Sequence, residues 1–158
     1  MDDNEKLIHS FYSNFQNKNV KGMRDCYGST VTFNDPVFTN LSAGQVRAMW
    51  AMLLRNGKDL RIEFKNIRSS GNSVSAQWNA YYTFSATGNK VINNIRASFI
   101  IEDGKIIRHT DNFSFYNWAR QSLGLTGILL GWTSFLKNKI RTKAKKNLDI
   151  YMASSGDN

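Results

Sequence analysis

The chain has 158 residues, of which 41% are hydrophobic and 13% aromatic, and its formal net charge is +9. This length and composition are typical of one folded domain with a core of its own, not of a disordered protein. One cysteine excludes an internal disulfide, and one cysteine with two histidines is too small a set for a zinc site. The first residues lack a signal-peptide pattern, and no stretch approaches the roughly 20 apolar residues of a membrane span, so we expect a cytoplasmic protein.

Apolar residues recur at helical spacing in the first third of the chain. One helix is predicted to begin after the acidic N-cap candidates at residues 2–3, and a short second helix follows around residues 20–27. Ser42 and Gln45 have the spacing of a capping box and predict the start of a third helix. The chain is therefore expected to begin with helices that each have one apolar face.

Four strand-like runs follow the third helix, separated by glycine-containing turn signals. The last run, "KIIRHTDNFSFY", places Ile107, His109, Asp111 and Phe113 on one face and polar residues on the other. Helices followed by antiparallel strands predict an α+β fold with the helices packed on one face of the sheet. We expect a cone-like curved antiparallel sheet wrapped around the N-terminal helices, with a cavity lined by inward-facing strand residues.

Three ionisable residues fall on inward-facing positions of this sheet. "GSTVTFND" alternates with period two and puts Asp35 on the face of Phe33, while His109 and Asp111 lie on the apolar face of the last strand. Burial raises the pKa of a carboxyl group toward neutrality, where it can take up and return a proton. Asp35, His109 and Asp111 are therefore the candidate catalytic residues. The alternatives are a turn role for Asp35 before Pro36 and an internal ion pair between His109 and Asp111.

The end of the chain carries more than half of the excess positive charge. Residues 1–111 hold 14 Lys/Arg and 10 Asp/Glu, whereas residues 112–158 hold 7 and 2. A long amphipathic helix is predicted from about 127 to 150. We expect residues 1–125 to form the cone domain and residues 126–158 to form a basic amphipathic helix that belongs to the same domain.

This basic helix has three candidate roles. Its apolar stripe can pack across the cone or a dimer partner, or residues 128–148 can lie on an anionic membrane surface. Six cations within residues 137–146 can instead contact phosphates. Nucleic acid is disfavoured because no aromatic residues are interleaved with the basic cluster. The apolar stripe favours packing.

The helical opening, "FNDPVF", "FIIEDGKIIRHTDNF" and "NWARQSLG" resemble the SnoaL-like polyketide cyclase and ketosteroid isomerase branch of the nuclear transport factor 2 superfamily. The resemblance covers about residues 4–125 and implies the cone fold, a homodimer formed through the open sheet face, and chemistry without a cofactor. "NDPV" is similar to the isomerase segment whose aspartate moves a proton between carbons, which implies a general base at Asp35. "GKIIRHTD" is similar to the last strand of limonene-epoxide hydrolases and SnoaL-type cyclases, which implies an acid–base role for Asp111.

Two departures from these relatives narrow the implied chemistry. The oxyanion-hole tyrosine of the isomerases falls on Phe11, with Tyr12 next to it, and their second aspartate falls near Ala97. The arginine and second aspartate of the hydrolases fall on Trp78 and Ala80. Steroid isomerisation and epoxide hydrolysis are therefore not expected, and a cyclase-type site with Asp111 as acid and base remains.

The expected substrate of such a site is a flat hydrophobic molecule. Its predicted contacts are aromatic walls and one amide, namely Tyr12, Phe33, Trp50, Trp78, Tyr82, Asn93 and Phe113. The alternative for each aromatic residue is a place in the core. The chain is thus predicted to be an enzyme of the cyclase or isomerase type that uses neither metal nor cofactor. The alternative is a non-catalytic ligand-binding or interaction module, associated with a membrane surface through its basic helix.

Overall fold

The structure is a computed structural model that describes residues 1–155. The last three residues of the predicted C-terminal helical segment, 156–158, lie outside the described residues. In chain order the elements are α1 (Asp3–Gln16), α2 (Val20–Asp25), β1 (Tyr27–Asn34), α3 (Ala43–Asn56), β2 (Arg61–Ser70), β3 (Ser73–Phe84), β4 (Asn89–Glu102), β5 (Lys105–Asn112), α4 (Phe115–Leu123), α5 (Leu125–Leu130) and α6 (Ser134–Ser155).

The five strands form one curved open sheet in the order β1-β5-β4-β3-β2. Strands β2 to β5 pair antiparallel with their neighbours in sequence, as the turn signals predict. Strand β1 pairs with β5 in parallel, so that Phe33 lies opposite His109 and Asn34 opposite Thr110. The predicted α+β fold with a curved sheet is confirmed. The sheet is mixed rather than fully antiparallel because β1 pairs with a strand far away in the sequence, which local patterns do not report.

Helices α1 and α3 pack their apolar stripes against the inner face of the sheet. Asp2 caps α1, since its carboxylate accepts a hydrogen bond from the backbone N–H of Glu5 at 2.8 Å. At the start of α3, the Gln45 side chain accepts one from the Ser42 N–H at 2.9 Å. Phe11 is among the α1 residues with no exposed surface. Burial of a side chain of this size stabilises the fold by about 1.5–3 kcal/mol.

A β-bulge decides which residues of β5 face the core. The register between β4 and β5 shifts next to Ile106 and skips Ile107. As a result Ile106 is fully buried and Ile107 only half-buried, so the prediction that Ile107 faces inward is wrong. His109 and Asp111 lie beyond the bulge and do face the core, with exposed fractions of 1% and 2%.

The C-terminal segment consists of two helices instead of the single long helix predicted over residues 127–150. Helix α5 ends at Leu130, where the chain turns, and the N–H of Thr133 donates to the Leu130 carbonyl at 2.9 Å. The Thr133 hydroxyl then accepts a hydrogen bond from the N–H of Leu136 at 3.3 Å, which caps α6. The prediction of one long helix is wrong because the apolar residues keep helical spacing on both sides of this turn, so their pattern does not reveal the break between the two helices.

Helix α6 packs across the cone with part of the predicted stripe. Leu136 and Leu148 are buried, Leu148 within the main core, and Ile140 is partly buried. The Nε of Arg141 donates a hydrogen bond to the carbonyl oxygen of Pro36 at 2.9 Å, so α6 contacts the loop that follows β1. No helix within residues 1–155 is both long and apolar enough to cross a bilayer.

Candidate active site

A chain of buried hydrogen bonds runs across the inner face of the sheet. The indole N–H of Trp50, on α3, donates to the Tyr27 hydroxyl at 2.8 Å. That hydroxyl lies 2.8 Å from His109 Nδ1, and His109 Nε2 lies 3.0 Å from Asp111 Oδ1. The indole N–H of Trp78 also points to Asp111 Oδ1, at 3.4 Å. The chain therefore joins two strands at the edge of the sheet to a helix and to β3.

The hydrogen bonds assign the tautomer of His109. Because the Tyr27 oxygen already accepts the Trp50 indole N–H, its own proton is directed to His109 Nδ1. Nδ1 is then an acceptor, and the ring proton lies on Nε2, from which it is donated to Asp111. This assignment is inferred from the network of heavy atoms. In this tautomer the Nε2–H of His109 orients the Asp111 side chain.

Two polar atoms near this network have no hydrogen-bonding partner among the described residues. Both hydrogen bonds to Asp111 go to Oδ1, and its Oδ2 receives none within residues 1–155. The Tyr12 hydroxyl, on α1, is fully buried and has no partner in the same part of the chain. Burial raises the pKa of Tyr12 well above its ordinary value of 10, and the charge of Asp111 raises it further. Tyr12 is thus a buried, unpartnered hydroxyl group in the neighbourhood of Asp111.

Asp35 follows the end of β1, in the loop that α6 contacts. Asn34 pairs with Thr110 in the parallel register. The residues that follow them, Asp35 and Asp111, therefore lie at the same level of the sheet. Asp35 Oδ1 accepts hydrogen bonds from the backbone N–H groups of Val37 and Phe38, at 2.7 and 2.6 Å. Asp35 therefore does stabilise a turn, as the alternative interpretation holds.

The surroundings of Asp35 also change its acidity. Burial raises the pKa of Asp35 from its ordinary value of 3.8 to about 7, although the N–H groups of Phe38 and Val37 act in the opposite direction. The negative charge of Asp111 adds to the rise, and the positive charge of Arg141 lowers the pKa. Asp35 thus stabilises a turn and also has a carboxyl group that exchanges protons near neutrality.

The deep end of the cone, where a cavity is expected, is filled by aromatic side chains. Phe33 and Tyr12 are fully buried, and Trp50 and Trp78 nearly so. The Phe33 ring centroid lies 4.9 Å from that of His109, and the Trp50 ring stacks on His109 with centroids 6.2 Å apart. These four predicted wall residues therefore occupy positions in the core. Two surface cavities, of about 450 and 830 Å³, lie on β2 to β5 and along α6, and neither is lined by Asp35, His109 or Asp111.

The other three predicted contact residues lie on β3, on β4 and directly after β5. Tyr82 and Phe113 are partly buried, and the Tyr82 hydroxyl accepts a hydrogen bond from the indole N–H of Trp118, on α4, at 2.7 Å. Asn93 is 8% exposed and lies opposite Ala80, four residues before the partner of Asp111 on β4. Four residues of extended strand span about 13 Å. Asn93 is therefore set apart from the carboxyl groups along the strand.

Several residues of this site are not apparent from the sequence. Tyr27 contacts His109 only because β1 pairs with β5, and Arg141 reaches the Asp35 loop only because α6 folds back over it. The sequence carries no signal for the Tyr27 contact, because residue 27 is predicted to end the second helix whereas it begins β1. No group of three or more His, Cys, Asp or Glu side chains within residues 1–155 is arranged to hold a metal ion.

A curved sheet over helices is the fold of the nuclear transport factor 2-like proteins, which this chain resembles in fold. The family model of the SnoaL-like domain matches residues 8–109, more than half of the chain, and the protein belongs to this family. The predicted resemblance is therefore confirmed. A comparison with curated proteins gave no match.

Solved structures with the same fold come from several bacteria. IdmH, a proposed polyketide cyclase from Streptomyces antibioticus, aligns with a TM-score of 0.65 and 17% identity over 77% of this chain and 99% of its own. A nuclear transport factor 2-like protein of unknown function from Burkholderia pseudomallei gives 0.67 and 14%, over 77% and 98%. TerC, co-crystallised with polyporic acid, gives 0.61 and 18%, over 71% and 92%. At these identities the likeness shows the fold and leaves the reaction open.

Proposed function

We propose that this protein is an acid–base enzyme of the cyclase or isomerase type that acts on a hydrophobic small molecule and uses no cofactor. One observation carries the proposal. Asp35, with a pKa of about 7, lies level with Asp111, whose Oδ2 has no hydrogen-bond donor within residues 1–155. A carboxyl group that is partly protonated near neutrality, placed beside a second carboxyl group, can supply an acid and a base at one site.

The proposed roles follow from these contacts. Asp111, oriented by the Nε2–H of His109, removes the proton from an activated carbon through Oδ2. Asp35 is partly protonated near pH 7 and delivers a proton to the alkoxide that forms when the ring closes, or to the new carbon position in an isomerisation. Proton exchange with water then returns both carboxyl groups to their starting states.

The proposed substrate approaches from the side of Tyr82 and Phe113, which are partly buried, because the side chains around His109 are packed. Tyr82, Phe113 and Asn93 supply two aromatic surfaces and one amide. A hydrophobic ligand is also supported by the fold-level likeness to IdmH and to TerC, the latter crystallised with polyporic acid. A homodimer formed through the open sheet face and a cytoplasmic location remain predictions.

The packing around His109 favours a second candidate function, a binding module without turnover. His109 is 1% exposed and is surrounded by aromatic rings, so its hydrogen bond to Asp111 also has a purely structural explanation. In that case Asp111 would be a core side chain held through its Oδ1. The two candidates differ in whether the ligand leaves chemically changed.

The experiment that tests the proposal combines binding with turnover. Aromatic 1,3-diketones that can close a ring are incubated with the wild type, with Asp111→Asn and with Asp35→Asn, and the products are followed by chromatography and mass spectrometry. We expect the wild type alone to form a product of the same mass, or of that mass less one water. Asp103→Asn, in the turn between β4 and β5, serves as a control for the loss of one carboxylate. Ligands that bind tightly but remain unchanged would favour the binding module.

A further inference from the structure

The most unusual surface of the protein is the turn between α5 and α6 together with the flanking helical residues. We call residues 125–135 the apolar tip. Ten large hydrophobic side chains are exposed within residues 1–155, and six of them lie in the apolar tip: Leu125, Ile128, Leu129, Leu130, Trp132 and Phe135. Trp132 is 76% and Phe135 70% exposed. Clustering of this kind marks a surface that contacts an apolar partner, whereas single exposed hydrophobic residues need no explanation.

The packing of α5 makes this exposure a built-in feature. A Cβ on Gly127 would lie 1.9 Å from the carbonyl oxygen of Ala119, so only glycine allows α5 to approach α4 this closely. A Cβ on Gly131 would lie 3.2 Å from the Ala119 methyl group. The face of α5 that packs on the protein is therefore formed by glycine. The leucine and isoleucine side chains of the tip are left on the outer surface.

A band of lysines continues from the apolar tip along α6. Phe135, Lys139, Lys143 and Lys146 line one shallow groove on the outer face of this helix. Lys145 pairs with Asp149, but Lys139, Lys143 and Lys146 have no carboxylate partner within the described residues. We call Lys139, Lys143 and Lys146 the lysine band. Phe135 lies in the apolar tip and lines the same groove, so the positive charge of the lysine band adjoins the tip there.

We propose that the apolar tip inserts into the interface of an anionic phospholipid bilayer while the lysine band binds the lipid headgroups. A bilayer surface offers an apolar layer beneath negative charge, which matches a tip that carries Trp and Phe beside a row of lysines. A second copy of the chain would bring two lysine bands close to each other, at a cost in repulsion. A nucleic acid would cover the lysines and leave the apolar tip in water. The proposal does not depend on the acid–base site.

Tryptophan fluorescence provides a direct probe of the contact. Of the four tryptophans, Trp50, Trp78 and Trp118 are at most 7% exposed, so a change in emission on binding reports mainly on Trp132. The full chain is titrated with vesicles of phosphatidylcholine and phosphatidylglycerol, and in parallel with vesicles of phosphatidylcholine alone. We expect a blue shift and co-sedimentation with the anionic vesicles, both weakened by salt.

Two variants separate the apolar contribution from the ionic one. Leu129→Gln with Phe135→Gln is expected to weaken vesicle binding at least about tenfold, because binding scales with buried apolar area. Its matched control, Leu53→Gln with Ile92→Gln, changes two hydrophobic residues that are exposed elsewhere. Leu129, Phe135 and Ile92 are each more than half exposed, whereas Leu53 is 36% exposed, so thermal unfolding of both variants is measured to confirm that they are folded.

The second variant neutralises the lysine band. Replacing its three lysines by glutamine is expected to weaken binding about 100-fold at low salt, since each cation near an anionic surface contributes about a fivefold effect. The matched control removes the same charge from Lys58, Lys65 and Arg96, which are exposed on other parts of the chain. Controls that bind like the wild type support the proposal.

Three results would overturn it. The first is the absence of a blue shift and of co-sedimentation with anionic vesicles. The second is binding that falls equally in the matched controls, which would indicate a non-specific effect of net charge. The third is a wild-type dimer that light scattering detects and that Leu129→Gln with Phe135→Gln converts to a monomer, without vesicle binding. A second copy would then be the partner of the apolar tip.

Discussion

The raised pKa of Asp35 makes the stability of the folded protein depend on pH, and Asp35→Asn isolates this effect. An amide is nearly isosteric with the carboxyl group, and its oxygen can still accept the N–H groups of Val37 and Phe38. The wild-type carboxyl group has a pKa of about 7 in the folded state, compared with an ordinary value of 3.8. Between these two values the folded chain holds a proton that the unfolded chain has lost.

The sign of the dependence follows from this difference in bound protons. The stabilisation from protonated Asp35 is fully present below about pH 4 and is lost as the pH rises through about 7, after which the curve is flat. A difference of about 3 pKa units corresponds to about 4 kcal/mol, at about 1.4 kcal/mol per unit. The wild type should therefore lose about 4 kcal/mol relative to Asp35→Asn between pH 4 and pH 8.

Urea denaturation of both proteins across this range measures the effect, with Asp103→Asn as a control for the removal of an exposed carboxylate. The free energy of unfolding of wild type minus that of Asp35→Asn is the quantity to compare. A difference that stays constant with pH would refute the argument that burial dominates at Asp35. A difference of opposite sign would show that the two backbone N–H groups hold the carboxylate ionised.

Three further predictions test other parts of the structure. Arg141→Gln removes a positive charge that lowers the pKa of Asp35, so NMR of the carboxyl carbon should show a higher pKa for Asp35 in this variant. An unchanged pKa would contradict the contact between α6 and the loop that follows β1. Tyr27→Phe removes the hydrogen bond to His109 Nδ1, so it should reduce the free energy of unfolding by about 1–3 kcal/mol and shift the NMR resonances of the His109 ring nitrogens. A wild-type spectrum that shows a proton on Nδ1 would contradict the assigned tautomer. Phe33→Ala should cost about 3–5 kcal/mol in chemical denaturation, and a loss below about 1 kcal/mol would mean that the deep end of the cone is not packed.

Much of the fold is predictable because its signals are local. The periodicities of α1 and α3 and the alternation of the strands each depend on residues within one element. The same alternation predicts that His109 and Asp111 face inward, and both are buried. The prediction that Ile107 faces inward is wrong because a bulge shifts the register just before His109. A one-residue change of register exchanges the two faces of a strand, and the sequence around Ile107 does not mark it.

The contacts of the site were less predictable because they join distant segments. Tyr27 meets His109 through a parallel pairing across about 80 residues, and Arg141 meets Pro36 through the return of α6. The aromatic residues predicted to line a cavity are mostly core residues. A sequence pattern shows that a side chain faces inward, but it does not show whether the interior there is empty or packed. The break before Thr133 is similarly hidden, because residues on both sides keep helical spacing.

The most direct test of the central claim is the transfer of a proton from carbon. A hydrophobic 1,3-diketone that binds the wild type is incubated in D₂O, and the incorporation of deuterium at its activated carbon is followed by NMR. The proposed roles of Asp111 and Asp35 predict that the wild type accelerates this exchange and that Asp111→Asn abolishes the acceleration without abolishing binding. Exchange at the buffer rate with the bound wild type, or equal acceleration by Asp111→Asn, would contradict an acid–base site at these residues.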